Sequence, residues 1–391
     1  MYVQLICKDR TDKEKDELYE VLGALAGREQ VQIEERGDIV EIDACPQGKI
    51  QVYEDGRDVI LTSNTRHAGP GFHAFVVDFF HDIQEELPGD YEMMDELEFD
   101  KDGDFHRIVH RYQDEIEYLR GRLLKREPII HKNYIYDETY YLPLEKEGFI
   151  ATPIGYLDER EFRQMDAMDL MDVFYVWNAW DHDALYFKNA ALTLLAKEGY
   201  DDFILMNEHT EKVASTICDY IELAYEKDPT LPLPMKTYRR YCELLGRQNR
   251  IEKGNPMREE EHQYRSKEVY HLFRDAKIVA PGTAERSYDP SMSALCLMSP
   301  FTDEADWSWL MRISFHDGIL ENPEALSQVE PIEYQDKTIW MYSEQKTGYY
   351  VLDAKLKQDE REMYFHVTVR HESDMDYLKQ CIKESGFQSL D

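Results

Sequence analysis

The sequence predicts a multidomain α+β protein: an N-terminal antiparallel sheet with packed helices, a helical middle, and a strand-rich C-terminal part closed by a helix. Three observations carry that expectation. The chain has 391 residues, beyond the size at which a single hydrophobic core keeps growing. Short alternating apolar runs separated by Gly and Asp crowd residues 31–62, as strands joined by tight turns require. Over 104–126 and again over 158–250 the apolar residues recur three and four apart, the period of helices that bury one face. The expected boundaries are 1–128 for an α+β domain, 129–255 for a mainly helical region and 256–391 for a strand-rich α+β domain.

In chain order, residues 2–7 read as a strand. Residues 11–26 read as a helix capped by Thr11 or Asp12, with Leu18, Val21, Leu22 and Leu25 as its apolar stripe. Strands at 31–35, 39–43, 50–53 and 59–62 form a hairpin meander, because Gly37-Asp38, Gly48 and Asp55-Gly56 fall between them. A loop at 63–71 leads into an apolar helix at 72–87, stopped by Pro88-Gly89. Residues 104–126 read as the clearest long helix. Phe105, Ile108, Val109, Tyr112, Ile116, Leu119 and Leu123 share one face, and Arg120, Arg122, Lys125 and Arg126 suit the negative end of its dipole. The aromatic stretch 134–154 reads as extended. Helices follow at 160–173, 183–198, 211–225 and 235–245, punctuated by Gly199, Pro229, Pro232 and Pro234. After a polar linker at 249–265 come strands at 307–315, 338–343, 349–357 and 363–370, the last two as a hairpin about 358–362. A helix at 374–385, ended by Gly386, closes the chain.

Composition narrows the function classes. The chain carries 80 acidic residues against 45 Lys and Arg, a net charge of −35, and 12% of it is aromatic. Aromatic content of that order belongs to a folded chain, because disordered acidic segments lack the apolar area that offsets ordering entropy. Such a charge repels polyphosphate, which argues against general nucleic-acid binding and favours a basic partner. No stretch approaches the roughly 20 apolar residues of a membrane span. Residues 1–10 do not form a signal peptide. The six cysteines lie tens of residues apart with no C-x-x-C pair, which predicts reduced thiols in a cytoplasm and mostly buried side chains.

Three constellations are candidate sites. The loop Asn64, Thr65, Arg66, His67, Ala68, Gly69, Pro70, Gly71, Phe72, His73 opens a helix. Its glycines expose backbone N–H groups which, with Arg66, His67 and His73, suit an anion; the plainer reading is a tight turn that needs flexible backbone. His106, His110 and Asp114 recur every four residues on the long helix, the spacing of a one-face divalent-metal set or of a solvent face. Residues 82–104 hold 11 acids against Lys101 alone, and Asp90, Glu92, Asp95, Glu96, Glu98, Asp100 and Asp102 make them a candidate docking surface for a basic partner. The segment from Trp177 to Asp183 contains a His-Asp pair, His182-Asp183, read as a helix cap beside packed tryptophans; His316-Asp317 is a second such pair. The methionines Met165, Met168 and Met171 alternate with Asp166, Asp169 and Asp172, read as core beside a wet face. Two basic islands, at 120–126 and 236–253, read as partners of neighbouring acids.

No nucleophile elbow, phosphate loop or complete catalytic set is present in the sequence. The expectation is a non-catalytic, acidic cytoplasmic interaction protein, of the inhibitor, immunity or accessory-subunit type, binding a basic protein partner and needing no cofactor. The alternative is an enzyme or ligand-binding protein for a small phosphorylated molecule, with a divalent metal, using the 66–71 loop.

Overall fold

The computed structural model describes residues 1–125, 144–152, 154–198, 205–258, 267–300 and 307–388. Arg126, residues 134–143, Pro153 and Gly199, and residues 259–265 of the polar linker, lie outside the described residues. The fold is α+β with antiparallel sheets, and the chain divides into two compact units. One comprises Met1–Tyr141, Ile150–Glu198 and Lys212–His262; the other comprises Leu142–Phe149, Gly199–Glu211 and Gln263–Asp391.

The first unit is built on a six-stranded sheet in the order β2-β3-β4-β5-β1-β6, made of β1 (Tyr2–Cys7), β2 (Gln32–Arg36), β3 (Ile39–Cys45), β4 (Gly48–Asp55), β5 (Asp58–Asn64) and β6 (Tyr91–Asp95). The meander read from the turn residues forms β2 to β5, and β1 then pairs with β5 on one side and β6 on the other. Side chains alternate across the pleat, so Val3, Leu5, Ile50, Val52, Val59 and Leu61 are fully buried on one face. Two helices cover that face. Helix α1 (Asp12–Glu29) starts in a reciprocal cap between Thr11 and Glu14, and its Lys15 reaches Glu54 at 2.5 Å. Helix α2 (Pro70–Glu86) lays Phe72 against Gly48.

A short turn of helix, α3 (Phe99–Asp102), precedes α4 (Phe105–Leu124), which buries Ile108, Tyr112, Ile116, Leu119 and Leu123 as the spacing requires. Past a two-stranded pair, β8 (Phe149–Ala151) and β9 (Tyr156–Asp158), the single helix read at 160–173 is two: α5 (Glu159–Gln164) and α6 (Ala167–Phe174). The break falls at Asp166, whose carboxylate accepts from the Asp169 amide at 2.9 Å and so starts a new helix. Asp183 likewise caps α7 (Ala184–Lys197), accepting from the Tyr186 amide at 2.8 Å. Helices α8 (Glu208–Lys227) and α9 (Met235–Leu245) follow, the latter ended by Gly246 at φ 62°. Between them Glu222, 5% exposed, accepts from Tyr238 Oη at 2.8 Å, Arg247 at 2.9 Å and Arg250 at 3.1 Å. The second basic island is thus paired internally at these two arginines.

The second unit holds two antiparallel sheets. One is β19-β11-β10-β7, from β7 (Leu144–Glu145), β10 (Glu268–Phe273), β11 (Ala276–Pro281) and β19 (Gly386–Phe387). The other is β12-β13-β14-β18-β17-β16-β15, from β12 (Glu285–Asp289), β13 (Ala294–Met298), β14 (Trp309–Ser314), β15 (Ile332–Tyr334), β16 (Lys337–Lys346), β17 (Tyr349–Gln358) and β18 (Arg361–Val369). Its core gathers Leu297, Met311, Ile313, Leu352, Phe365 and Val367 from one sheet face, with Ile278 and Ala280 from the other sheet. The final helix, Met375–Glu384, adds Leu378 and Ile382 to the same core and closes it as expected. Five of the six cysteines are buried, and no disulfide links any of them.

Candidate functional site

The 64–73 loop is committed to its own fold. Gly69 stands at φ 115°, where an L side chain is strained, and a Cβ on it would overlap the Trp177 carbonyl. A Cβ on Gly71 would overlap the Ala179 carbonyl oxygen and the Trp177 indole. The two segments exchange backbone hydrogen bonds, the Gly71 amide to Trp177 O and the Trp177 amide to Ala68 O, both 2.9 Å. Arg66 bonds through Nε to Glu115 Oε1 at 2.8 Å, and its Nη2 contacts the same oxygen. Asn64 closes a local turn by accepting from the Arg66 amide, and His67 is buried. The glycines therefore serve the close approach of residues 175–179. The arginine and the Gly71 amide expected to hold an anion are both taken up by internal partners.

Within that loop, Thr65, His73 and Asp95 line up in the manner of a catalytic relay. Thr65 Oγ1 lies 2.9 Å from His73 Nδ1, and His73 Nε2 lies 3.0 Å from Asp95 Oδ1, off the straight hydrogen-bond line. All three side chains are fully buried, so no substrate reaches them. The Asp95 carboxylate also accepts from the amides of Leu97 at 2.8 Å and Asp100 at 3.1 Å. Burial alone would raise its pKa, but His73 and the two amides outweigh it and hold it below the usual carboxylate range. The group is an internal clamp joining the start of α2 to the end of β6.

This corrects one member of the acidic docking set. Asp95 is buried, and Asp100 is half-buried with Oδ1 enclosed. The other acids line the surface, but most meet a cation of their own segment, of a residue flanking β1 or of α4. Glu92 pairs with Lys8 at 2.6 Å, Glu96 with the Met1 amino group at 3.2 Å, Glu98 with Lys101 at 2.7 Å and Asp102 with Arg107 at 2.9 Å; Asp90 is exposed. The expected metal row fares no better. His106, His110 and Asp114 all sit on the solvent side of α4, and among the described residues no three His, Cys, Asp or Glu are placed to hold a metal ion.

The structure instead brings together two segments that the sequence singled out separately, α6 and the loop from Trp177 to Asp183. Their two tryptophans diverge. Trp177 is buried against Phe72, Phe75, His182 and Tyr186. Trp180 is 46% exposed, its ring resting on Phe99 at 5.4 Å and Phe105 at 5.3 Å. On α6, Met168 is 47% exposed, and Asp169 and Asp172 stand on adjoining positions of the same turn. Asp166, Asp169, Asp181 and Asp183 are exposed and Asp172 half-buried, and among the described residues none of the five forms an ion pair. Burial, then the charges of Asp169 and Asp183, push the Asp172 carboxyl up to about 6. The His182 ring, stacked on Tyr186 at 3.9 Å, goes the other way: burial and then Lys227 bring it down to about 4, so at neutral pH it adds no positive charge.

A raised carboxyl favours the protonated native state, so the Asp172 charge opposes folding once pH rises through about 6. Asp172→Asn is therefore expected to stabilise the protein by about 1 kcal/mol at pH 8, after discounting for solvent screening, and to change nothing at pH 4. Urea midpoints at the two pH values check this; equal midpoints of variant and wild type at both would contradict it.

Compared with known proteins, the chain matches no family model, no curated protein and no solved structure.

Proposed function

We propose that the protein is a non-catalytic, acidic interaction protein, of the inhibitor, immunity or accessory-subunit kind, acting in a cytoplasm on a basic protein partner. The docking surface in this reading is the Trp180 face. The observation that carries it is an exposed tryptophan in the loop that bears Asp181 and Asp183, with Asp172 of α6 close to Asp183. None of these aspartates is in an ion pair among the described residues, in a chain that pairs so many of its other surface acids. Aromatic anchors at the centre of an interface supply much of its affinity, and an Arg or Lys over an indole adds a cation–π term. The surrounding aspartates would speed encounter and select the sign of the partner. Among the described residues no helix is long and apolar enough to cross a membrane. The alternative, a small phosphorylated ligand held by the 66–71 loop, is weakened by the Arg66–Glu115 pair and by the packing of Gly69 and Gly71.

Affinity capture of partners with the full chain as bait, at low and moderate salt, tests this reading. A basic protein is expected on the wild type. With Trp180→Ala its retention should fall at least tenfold, the loss of a central anchor of about 2 kcal/mol. Asp169→Asn combined with Asp181→Asn should weaken capture without unfolding, because neither residue caps a helix, unlike Asp166 and Asp183. If no protein is retained at either salt, the reading is wrong.

A further inference from the structure

The outer face of the seven-stranded sheet carries a second constellation, in different residues and of opposite character. Met311, Ile313, Leu352, Ala354, Phe365 and Val367 point into the core, so the residues between them point out. Cross-strand register then sets one continuous row: Ser287 opposite Cys296, Cys296 opposite Arg312, Arg312 opposite His366, His366 opposite Asp353, and Asp353 opposite Tyr342. Directly opposed residues in an antiparallel pair stand about 5 Å apart at Cα, near enough for neighbouring side chains to share a ligand.

Asp353 is fully buried at the centre of the row. Its Oδ1 meets His366 Nδ1 at 2.9 Å, and its Oδ2 accepts from the Asn322 amide at 2.7 Å. Asn322 belongs to the segment that follows β14, whose 3₁₀ turn (Asp317–Ile319) lies against β14 and β18. That arrangement fixes the imidazole, directs its Nδ1 proton to the carboxylate and leaves Nε2 as the nitrogen available to a ligand. Arg312, half-buried in the adjacent strand, forms no ion pair with any carboxylate among the described residues. The Arg312 guanidinium neighbours the Cys296 thiol and its charge reaches Asp289, yet no direct ion pair ties it among the described residues of a chain with 80 acids and 45 Lys and Arg. Cys296 is beside it, and Lys355 in the next row lies over the rings of Trp340 at 5.4 Å and Tyr364 at 5.6 Å while pairing with Glu362 at 2.9 Å.

We propose that Arg312 and His366 form a binding site for a phosphate group on the outer face of this sheet. The guanidinium fork matches two oxygens of a tetrahedral oxyanion. Nε2 takes a third oxygen in either protonation state, accepting from a P–OH when neutral or donating to P–O⁻ when charged. With the ring neutral, a carboxylate, which has no O–H at neutral pH, would face the Nε2 lone pair, whereas a singly protonated phosphate supplies the proton that Nε2 accepts. Phosphate chemistry is thus better met at Arg312, which makes no direct ion pair among the described residues, than at Arg66, which is held by Glu115. Trp340 and Tyr364 flank the row on the same face, which suits a phosphomonoester with an aromatic group better than free phosphate.

The test is 31P relaxation of inorganic phosphate and of phenyl phosphate titrated with the full chain. Both ligands are expected to broaden with the wild type, and phenyl phosphate to bind several-fold more tightly; equal affinities would assign the site to free phosphate and overturn the ester assignment. Arg312→Gln should weaken binding at least tenfold. Arg312→Lys should recover only part of it, since a point charge lacks the fork. His366→Gln should weaken it several-fold. Lys277→Gln, which removes a charge from the other sheet of the same unit, should leave it unchanged. Absence of broadening by the wild type, or equal broadening by wild type and Arg312→Gln, would overturn the proposal, as would a Lys277→Gln loss equal to that of Arg312→Gln.

Discussion

Replacing Gly71 by alanine should cost the protein about 3 kcal/mol or more, or prevent the first unit from folding. The added methyl has no room: it would overlap the Ala179 carbonyl and the Trp177 indole, and a backbone oxygen cannot turn aside as a side chain end can. Overpacking of ordinary cores costs about 1–3 kcal/mol, and here relief would also break the paired hydrogen bonds joining Ala68 and Gly71 to Trp177. Gly23 is the matched control. It lies in α1 with nothing near its missing Cβ, so Gly23→Ala should stabilise by up to about 1 kcal/mol through helix propensity. Denaturant midpoints of the two variants should move in opposite directions. A Gly71→Ala midpoint equal to wild type would mean that the 175–179 segment does not sit where described.

Asp95→Ala should be nearly as severe, at about 3–5 kcal/mol near neutral pH. Removing the carboxylate leaves the enclosed amides of Leu97 and Asp100 without their acceptor and His73 Nε2 without its neighbour. The pH dependence has a definite sign. Because the native carboxyl is held below its ordinary value, its contribution is complete above the unfolded pKa of about 4 and fades as pH falls through the lowered native value. The stability gap between wild type and variant should therefore narrow in acid. A gap that is small at neutral pH, or that widens on acidification, would show that Asp95 is not the clamp inferred.

Much of the fold was legible because local chemistry decided it. Thr11 and Glu14 announce the start of α1, Gly37 and Gly56 announce two hairpins, and the apolar period of α4 identifies its buried stripe. What stayed hidden was decided by conformation without a matching residue signal. The turns between β10 and β11 and between β12 and β13 place Arg274 at φ 55° and Ser293 at φ 49°, left-handed positions that no glycine or asparagine marks, so four strands went unread. Asp166 was visible as an acid but not as a cap, and one helix became two.

The sites were less legible, because their meaning lies in pairing across distance. Arg66 and Glu115 are 49 residues apart, and only their contact removes the arginine from ligand duty. Asp95 and Asp102 belong to the same acid run, yet one is enclosed beside His73 and the other is on the surface beside Arg107. Trp177 and Trp180 are three residues apart, and tertiary packing alone sends one into the core and leaves the other in solvent. The spacing of Asp166, Asp169 and Asp172 was the available signal for the acidic face. Only the fold brings Asp183 close to Asp172 and so joins that spacing to the loop that carries Trp180.

Carboxyl footprinting of the full chain, free and bound to an oligo-arginine peptide at moderate salt, tests the Trp180 docking surface most directly. Each accessible acid is labelled with a carbodiimide and quantified by mass spectrometry. The account predicts protection concentrated at Asp169, Asp172, Asp181 and Asp183, and its loss in Trp180→Ala. Protection spread evenly over the surface acids, or centred on Glu92 and Glu96, would contradict it.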